Sequence, residues 1–285
     1  MIVVLQPGPL ATVQDAGRRG YAHLGVPTAG PLDAPAARLA NRLVGNQQDA
    51  AVIETLLGQC EVEVREGRWM AVTGAPVEVT VDGRSSVHSE AFWVQAGSRV
   101  RLGRVVRGMR CYLAVGGGIT VDPVLGSRST DTLAWVGPPA LAEGTELPSG
   151  PAPARPAAAD VPARRRTGSL RVHPGPQADW FDSWRALYDV EWSVSEHSNR
   201  VGLRLRGPAL TRTGRELPSQ GMVTGAIQVP ADGQPVVFLA DHPPTGGYPV
   251  IGVVDAEDLW QCAQVRPGET LRFTPAVNPV RGSTG

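Results

Sequence analysis

Short strand-like runs are the feature of this sequence that most restricts its fold. Apolar or alternating runs of three to five residues recur through the first half, each bounded by Gly, Pro, Asp or Ser. Runs of this kind, separated by turn residues, are typical of all-β folds. The six clearest runs cover residues 61–64, 69–72, 77–81, 92–94, 100–102 and 111–115. We therefore expect a mainly β protein.

Helices are few in this pattern. Asp33 is an expected N-cap, apolar residues follow at helical spacing from Ala36 to Leu43, and Gly45 ends the run. This spacing predicts a short amphipathic helix packed on a sheet. Two more short helices are expected, one over residues 178–188 and one that begins at Asp255.

The chain is long enough for two domains. Its 285 residues are 42% hydrophobic, which is enough to bury one large or two modest cores. Residues 149–169 are mostly Pro, Ala and Arg and offer little to bury. We predict a β-barrel-like domain over residues 1–150, a linker over 151–168, and a second β-barrel domain over 169–285. The arginines at 164–166 are expected to be solvated.

Charge and cysteine usage bound the class of protein. There are 27 basic and 27 acidic residues, so the sequence predicts neither nucleic-acid nor membrane-surface binding. No apolar run approaches the roughly 20 residues of a membrane helix, and the N-terminus does not resemble a signal peptide. Cys60, Cys111 and Cys262 fit neither a disulfide framework nor a metal motif. We expect a soluble, cytoplasmic protein with buried thiols.

The absence of lysine excludes several chemistries. All 27 basic residues are arginine. A Walker A phosphate loop, a pyridoxal Schiff base and a biotinyl-lysine each require lysine, so we predict no covalently bound cofactor. ATP or biotin would act only through partner subunits. The sequence has no GxSxG or HExxH motif, and its five histidines lack metal-ligand spacing, so no metal site is predicted.

A hairpin with ligand-binding potential lies within residues 219–251. Two apolar runs, 226–229 and 236–240, flank the turn signal at 231–233. Glycines beside such a hairpin let the backbone approach a ligand, and nearby side chains offer hydrogen-bonding groups. The residues concerned are Gly221, Gly225, Gln228, Asp241, Thr245, Gly246, Gly247 and Tyr248. The pattern suits a small planar polar ligand; alternatively, the glycines serve only as turn residues.

A second polar motif lies near the N-terminus. Gln14, Asp15 and Arg18 are embedded among glycines and prolines, as expected of a loop that presents polar groups. The alternative is a capped helix entry with an ion pair.

A buried carboxylate is also predicted. Glu54 lies within an apolar strand and needs a partner, for which Arg128 and Arg42 are candidates.

Several motifs occur in the same order as in one known family. They are TVQDAGRRGYAHLGVP, AGPLD, RLANRLVGN, GSRSTDTL (126–133), SNRVGLRL (198–205), LPSQGMVTGAIQVPADGQP (217–235) and LADHPPTGGYPVIGVV (239–254). From about residue 5 to 273 the chain resembles the family of allophanate hydrolase subunit 2, the 5-oxoprolinase C subunit and biotin-dependent carboxyltransferases. The resemblance implies two cyclophilin-like β-barrel domains, a smaller homologous partner subunit, and a site near the boundary between the two subunits.

The chain departs from this family in two places. Many relatives carry Asp-Arg-Gln or Asp-His-Gln where this chain has Asp241-His242-Pro243. They also carry a lysine where this chain has Val250. If that lysine contacts carboxybiotin or phosphate in relatives, an arginine must replace it here or the contact is lost, and the two side chains are not equivalent donors.

The substrates implied by the resemblance, urea and 5-oxoproline, share a planar N–C=O unit. Its oxygen needs donors and its N–H needs acceptors. We predict Asp241, Arg200 and Arg128 as catalytic residues, with Asp241 as a general base whose pKa must rise for that role. The predicted substrate-binding residues are Gln14, Asp15, Arg18, Asn199, Gln228, Thr245, Gly246, Gly247 and Tyr248. If Arg128, Arg200, Gln228 and Asp241 hold the amide, with the Gly246-Gly247 backbone close by, these groups must converge in one cleft.

The resemblance implies three alternative functions. The first is the C subunit of an ATP-dependent 5-oxoprolinase, a hydrolase that opens 5-oxoproline to glutamate. Its partners would be the smaller homologous subunit, which is of the allophanate hydrolase subunit 1 or 5-oxoprolinase B-subunit type, and a third 5-oxoprolinase subunit. The second is an allophanate hydrolase subunit 2 or biotin-dependent carboxyltransferase that acts on urea or a related amide. The third is a non-catalytic regulator of the smaller subunit.

Overall fold

The structure, a computed structural model, describes residues 1–151, 156, 159–163 and 166–276. Part of the predicted linker, including Arg164 and Arg165, lies outside the described residues. The division into domains therefore stays a prediction, and the two halves are described below by their sheets.

The first half contains eleven strands. They are β1 (Ile2–Gln6), β2 (Leu10–Gln14), β3 (Val52–Leu56), β4 (Glu61–Val64), β5 (Arg68–Gly74), β6 (Val79–Val81), β7 (Arg84–Ser85), β8 (Ala91–Val94), β9 (Arg99–Leu102), β10 (Arg110–Val115) and β11 (Glu146–Leu147). A six-stranded sheet has the order β11-β1-β4-β9-β6-β7, and a five-stranded sheet has the order β2-β3-β10-β5-β8. All six strands expected from the sequence are present.

The two sheets enclose the core of the first half. In β4 (EVEV) the valines are buried and the glutamates are half-buried, because alternate side chains point to opposite faces. Val62 and Val100 pack with Val72 and Leu113 of the other sheet in one cluster. Burial of these side chains removes apolar surface from water and is the main stabilising contribution.

The expected first helix, α1 (Ala34–Leu43), covers the outer face of the five-stranded sheet. The Asp33 side chain accepts a hydrogen bond from the Ala36 N–H at 3.0 Å, as an N-cap should. Ala40 and Leu43 pack against Tyr112 of β10. The prediction of this helix, with its cap and its buried face, is confirmed.

The second half forms a closed barrel. Its strands and an additional two-stranded ribbon are β12 (Ser169–Pro174), β13 (Glu191–Val194), β14 (Gly202–Arg206), β15 (Gln220–Gly221), β16 (Ala226–Gln228), β17 (Val236–Phe238), β18 (Thr245–Gly246), β19 (Val250–Val254) and β20 (Thr270–Pro275). The barrel order is β12-β19-β16-β17-β14-β13-β20, and β15 pairs with β18. The predicted hairpin is confirmed by the antiparallel pairing of β16 with β17.

The remaining helices differ from expectation. In place of one helix over 178–188 there are two 3₁₀ turns, Ala178–Trp180 and Trp184–Leu187. The break occurs because Phe181 is extended and forms a bridge with Arg212. Helix α2 (Leu259–Cys262) follows a turn, and its N-cap position is Asp258, whose side chain makes no capping hydrogen bond, rather than Asp255.

The fold is mainly β, with two barrel-like units and few short helices, as expected. All three cysteines are free and buried, which confirms the expectation of buried thiols. Among the described residues no helix is both long and apolar enough to cross a membrane.

Candidate functional site

Arg200 is the centre of a buried polar network between the two halves. It lies in the turn before β14, and only 2% of its surface is exposed. Its Nε and Nη2 donate to Oδ2 and Oδ1 of Asp241 at 2.8 and 2.9 Å. Nη1 donates to Glu54 of β3, and Nη2 also donates to the Gly30 carbonyl at 2.7 Å. The guanidinium therefore ties the barrel to the first half.

Glu54 is the residue of the first half whose negative charge pairs with Arg200. Its Oε2 accepts hydrogen bonds from the Tyr112 hydroxyl at 2.8 Å and the Leu32 N–H at 2.9 Å. Burial by itself would raise the pKa of Glu54. The nearby guanidiniums of Arg200 and Arg110, together with these hydrogen bonds, outweigh burial and hold that pKa below its ordinary value.

The expectation that Arg128 or Arg42 pairs with Glu54 is wrong. The partners are Arg200, which comes from the other half, and Arg110 of β10, whose Nε lies 3.4 Å from Glu54 Oε1. Arg110 is available because β10 pairs with β3 beside Glu54.

Asp241 is completely buried, and its carboxylate is fully engaged. Besides the two bonds from Arg200, Oδ2 accepts hydrogen bonds from the Thr132 N–H at 2.9 Å and the Thr132 hydroxyl at 2.7 Å. A carboxylate has about four lone-pair sites, so little capacity is left for a substrate proton. This geometry favours a positioning role for Asp241. Its role as a general base stays a prediction.

Asp15 fixes the loop that contains Thr132, the residue that donates to Asp241. Its carboxylate accepts hydrogen bonds from the Gly17 and Arg128 N–H groups and from the hydroxyls of Ser127 and Ser129. Burial raises the pKa of Asp15, but these four bonds outweigh burial and lower it. The side chain of Asp15 thus anchors the backbone of this loop, and its role in substrate binding stays a prediction.

Gln14, Arg18 and Arg128 complete this network. The Gln14 side chain is buried; it donates to the Thr130 carbonyl at 2.9 Å and accepts from the Gly30 N–H at 3.1 Å. Arg18 donates to the Ser129 carbonyl, and the Nε of Arg128 donates to the Val121 carbonyl at 2.7 Å. The structure therefore brings six predicted site residues into one network at the junction of the halves: Gln14, Asp15, Arg18, Arg128, Arg200 and Asp241.

The remaining predicted residues, except Asn199, lie at the opposite end of the barrel. Strand pairing places Gly202 opposite Phe238, near Asp241, and places Gln228 opposite Val250. Residues 241–249, which we call the return segment, run back from the first end to the second. Asp241 therefore begins the return segment, and Val250 of β19 follows it.

The return segment is fixed against the outside of the barrel. His242 stacks on Phe238 with ring centroids 5.5 Å apart, and burial lowers the pKa of His242. The Gln228 amide donates to the Tyr248 carbonyl at 3.0 Å. A Cβ on Gly246 would lie 2.7 Å from Gln228 Nε2, so an alanine at this position would have to displace the Gln228 amide.

Val250 occupies the position at which the resemblance predicts a lysine in many relatives. Only 4% of its surface is exposed. It packs in an apolar cluster beneath the return segment with Met222, Ala226, Val236 and Phe238. The side chain at 250 therefore has a structural role in this chain and supplies no charge.

A cleft of about 740 Å³ opens at this end of the barrel. It is lined by residues 209–217, the hairpin turn at 231–233, and Gly247 and Tyr248 of the return segment. Its volume is in the range typical of small-molecule sites. Tyr248 lies beneath the guanidinium of Arg212, which is 5.7 Å from the ring centroid.

The predicted residues therefore do not share one cleft. Gly247 and Tyr248 line it, whereas Gln228 lies behind the return segment and Thr245 and Gly246 pair with β15. Asn199 directly precedes Arg200, and its Oδ1 accepts hydrogen bonds from the N–H groups of Val201 and Gly202. Within the described ranges, no group of three or more His, Cys, Asp or Glu is placed to hold a metal ion.

Several residues of the buried network and of the cleft were not predicted from the sequence. Thr132, Arg110 and Tyr112 belong to the buried network, and Arg212 and Thr213 line the cleft. Thr132 had a signal, because it lies within the GSRSTDTL motif. The other residues occur in an ordinary strand and an ordinary polar loop.

The fold and the site define a two-part, mainly β protein with a buried polar network between its halves and a cleft at one end of its barrel. The sequence matches the family described as carboxyltransferase domain, subdomain A and B, over residues 24–275. The chain belongs to this family.

Two curated relatives and one solved structure illustrate the similarity. The 5-oxoprolinase C subunit of Escherichia coli (strain K12) is 40% identical over 96% of this chain and 90% of that protein. Urea amidolyase of Lachancea kluyveri is 33% identical over 95% of this chain, which spans only 17% of that enzyme. The crystal structure of TTHA0988 has a TM-score of 0.87 at 37% identity, over 96% of this chain and 55% of that one.

Proposed function

We propose that this chain is the C subunit of an ATP-dependent 5-oxoprolinase, which opens the lactam ring of 5-oxoproline to give glutamate. The observation that carries the proposal is its 40% identity to the E. coli protein, which extends over nearly the full length of both chains. The match covers the cleft and the buried network alike, because it includes 96% of this chain.

The cleft suits such a substrate in size and chemistry. A ring the size of 5-oxoproline fits easily within about 740 Å³. Arg212 supplies N–H donors and Tyr248 supplies a flat apolar surface beside them.

Partner proteins complete the activity in this proposal. This chain has no lysine for a phosphate loop, so ATP is handled by another protein of the assembly. The smaller homologous subunit and a third, ATP-using subunit are the proposed partners. The proposed location of the assembled enzyme is the cytoplasm.

Reconstitution tests this function. The three proteins, produced together, should form glutamate from 5-oxoproline with consumption of ATP. Omission of this chain should abolish product formation, and a mixture with heat-inactivated chain is the matched control. Absence of glutamate from the complete mixture would refute the proposal.

A urea carboxyltransferase is the second candidate. It is favoured by the family to which the chain belongs and by the match to urea amidolyase. This alternative requires a biotinylated carrier. Urea-dependent loss of carboxylate from a carboxybiotinyl carrier, seen with this chain and its smaller partner, would establish it in place of the first.

A further inference from the structure

Arg212 is a cation at the edge of the cleft that has no acceptor among the described residues. Within that part of the chain its side chain makes one contact, the stacking on Tyr248. Its position is nevertheless well defined by the backbone. Arg212 bridges to Phe181, and the next residue, Thr213, donates its N–H to the Trp180 carbonyl at 2.7 Å. The guanidinium is thus held in place with free N–H donors.

Thr213 adds a second unsatisfied group beside it. Its Oγ1 is buried and has no hydrogen-bond partner among the described residues. A buried hydroxyl without a partner costs free energy, so native proteins seldom leave one in that state. Both Thr213 and Arg212 line the cleft. A ligand atom that accepts hydrogen bonds would satisfy both.

The other charged residues that line the cleft are Arg215, Glu216 and Asp232. Arg215 lies over the Trp180 ring and 3.9 Å from Asp179. Asp232 accepts a hydrogen bond from the Gln234 N–H within its own turn. Among the described ion pairs, none joins Glu216 or any other carboxylate to Arg212. Of the two arginines that line the cleft, Arg212 is therefore the one without an ion pair among the described residues.

We infer that Arg212 and Thr213 form an anion subsite that receives the carboxylate of a small amide substrate. A guanidinium binds a carboxylate through two parallel hydrogen bonds, and the Arg212 guanidinium lies over the Tyr248 ring, 5.7 Å from its centroid. The Thr213 hydroxyl donates to the same carboxylate. This inference rests on the proposed function and adds a specificity to it: the subsite selects 5-oxoproline, which is anionic, over urea, which is neutral.

Calorimetric titration of the full chain with three probes tests the subsite. The probes are L-5-oxoproline, 2-pyrrolidinone, which has the same lactam ring without the carboxylate, and urea. The wild-type chain should bind L-5-oxoproline more tightly than either neutral probe. Arg212→Gln should weaken L-5-oxoproline binding by about 10-fold to 100-fold, the usual effect of losing a charge-assisted hydrogen bond. It should leave 2-pyrrolidinone binding unchanged.

Matched variants separate the subsite from a general effect on folding. Arg101→Gln removes an exposed arginine of the first-half sheet and should bind like wild type. Thr213→Val keeps the side-chain shape and should weaken L-5-oxoproline binding less than Arg212→Gln does. The inference is overturned if Arg212→Gln binds L-5-oxoproline like wild type, if all three probes weaken equally, or if the wild-type chain does not prefer L-5-oxoproline.

Kinetics of the assembled complex distinguish failure of the subsite from failure of the proposed function. In the complex, Arg212→Gln should raise KM for 5-oxoproline at least about 10-fold while kcat changes by less than about 3-fold. Turnover with an unchanged KM in this variant refutes the subsite and leaves the function intact. No turnover in the wild-type complex, with binding still dependent on Arg212, refutes the function alone.

Discussion

Arg200 and Asp241 meet in a two-point contact that is closed to solvent, with N–O distances of 2.8 and 2.9 Å. The contact joins the turn before β14 to the start of the return segment, whose far end carries Tyr248 into the cleft. The same guanidinium reaches Glu54 of the first half. Burial alone would lower the pKa of Arg200, but Glu54 and Asp241 outweigh burial and raise it, so the side chain stays charged.

The first prediction is that Asp241→Asn destabilises the protein. Asparagine keeps the shape but leaves the buried charge of Arg200 without half of its compensation. We expect the free energy of unfolding, measured by urea denaturation, to fall by about 3 kcal/mol. Thr132→Val, which removes one hydroxyl bond to Asp241, should cost only about 1 kcal/mol. Unchanged stability with a roughly 100-fold loss of turnover in the complex would instead support Asp241 as a general base.

The second prediction concerns acid stability. Because the folded-state pKa of Glu54 is below its ordinary value of 4.5, its contribution is present above that value and is lost as pH falls through the folded pKa. Glu54→Gln should lower the free energy of unfolding by about 3 kcal/mol at pH 7. The difference from wild type should shrink steadily below about pH 4.5.

The control for this experiment is Glu143→Gln, which changes an exposed carboxylate. It should stay within about 0.5 kcal/mol of wild type across the same pH range. If Glu54→Gln lowers the free energy of unfolding by the same amount at pH 3 and at pH 7, the charge of Glu54 is not the cause of its stabilising effect.

The third prediction uses two adjacent glycines of the return segment. A Cβ at Gly246 would lie 2.7 Å from Gln228 Nε2 and 3.2 Å from Met222, whereas a Cβ at Gly247 would come no closer than 3.7 Å to the Leu217 carbonyl. Gly246→Ala should therefore displace the return segment and cost about 1–3 kcal/mol by urea denaturation. Gly247→Ala should be tolerated. Equal behaviour of the two variants would contradict the described packing.

The fourth prediction concerns assembly. Co-expression with the smaller homologous subunit should give a complex with equal amounts of both chains, burying at least about 1,200 Å². Light scattering coupled to size exclusion gives the stoichiometry. Recovery of this chain only as a free monomer would count against a two-chain assembly.

Local features of the fold were predictable because their causes are local. The alternation in β4 and the Asp33 cap of α1 depend on neighbouring residues, and both are present in the structure. The helix expected over residues 178–188 does not form, and the cause is a contact with a residue that is distant in sequence. Phe181 pairs with Arg212, some thirty residues later in the chain, and that pairing overrides helical spacing.

The candidate site was only partly predictable. Asp241 and Arg200 were both predicted as site residues, and the structure joins them by two hydrogen bonds. The sequence did not show that Arg200 and Thr132 occupy the carboxylate, because those contacts join residues more than 40 and 100 positions away. Arg212 gave no signal, since an arginine with free donors looks the same in sequence as one with partners.

The measurement that tests the account most directly is ATP-dependent formation of glutamate from 5-oxoproline. The purified chain alone should form none, because it has no lysine for a phosphate loop and no recognisable nucleophile motif. The chain assembled with its smaller homologous partner and the ATP-using protein should form glutamate in step with ATP consumption. Turnover by the chain alone, or none in the full assembly, would contradict the account.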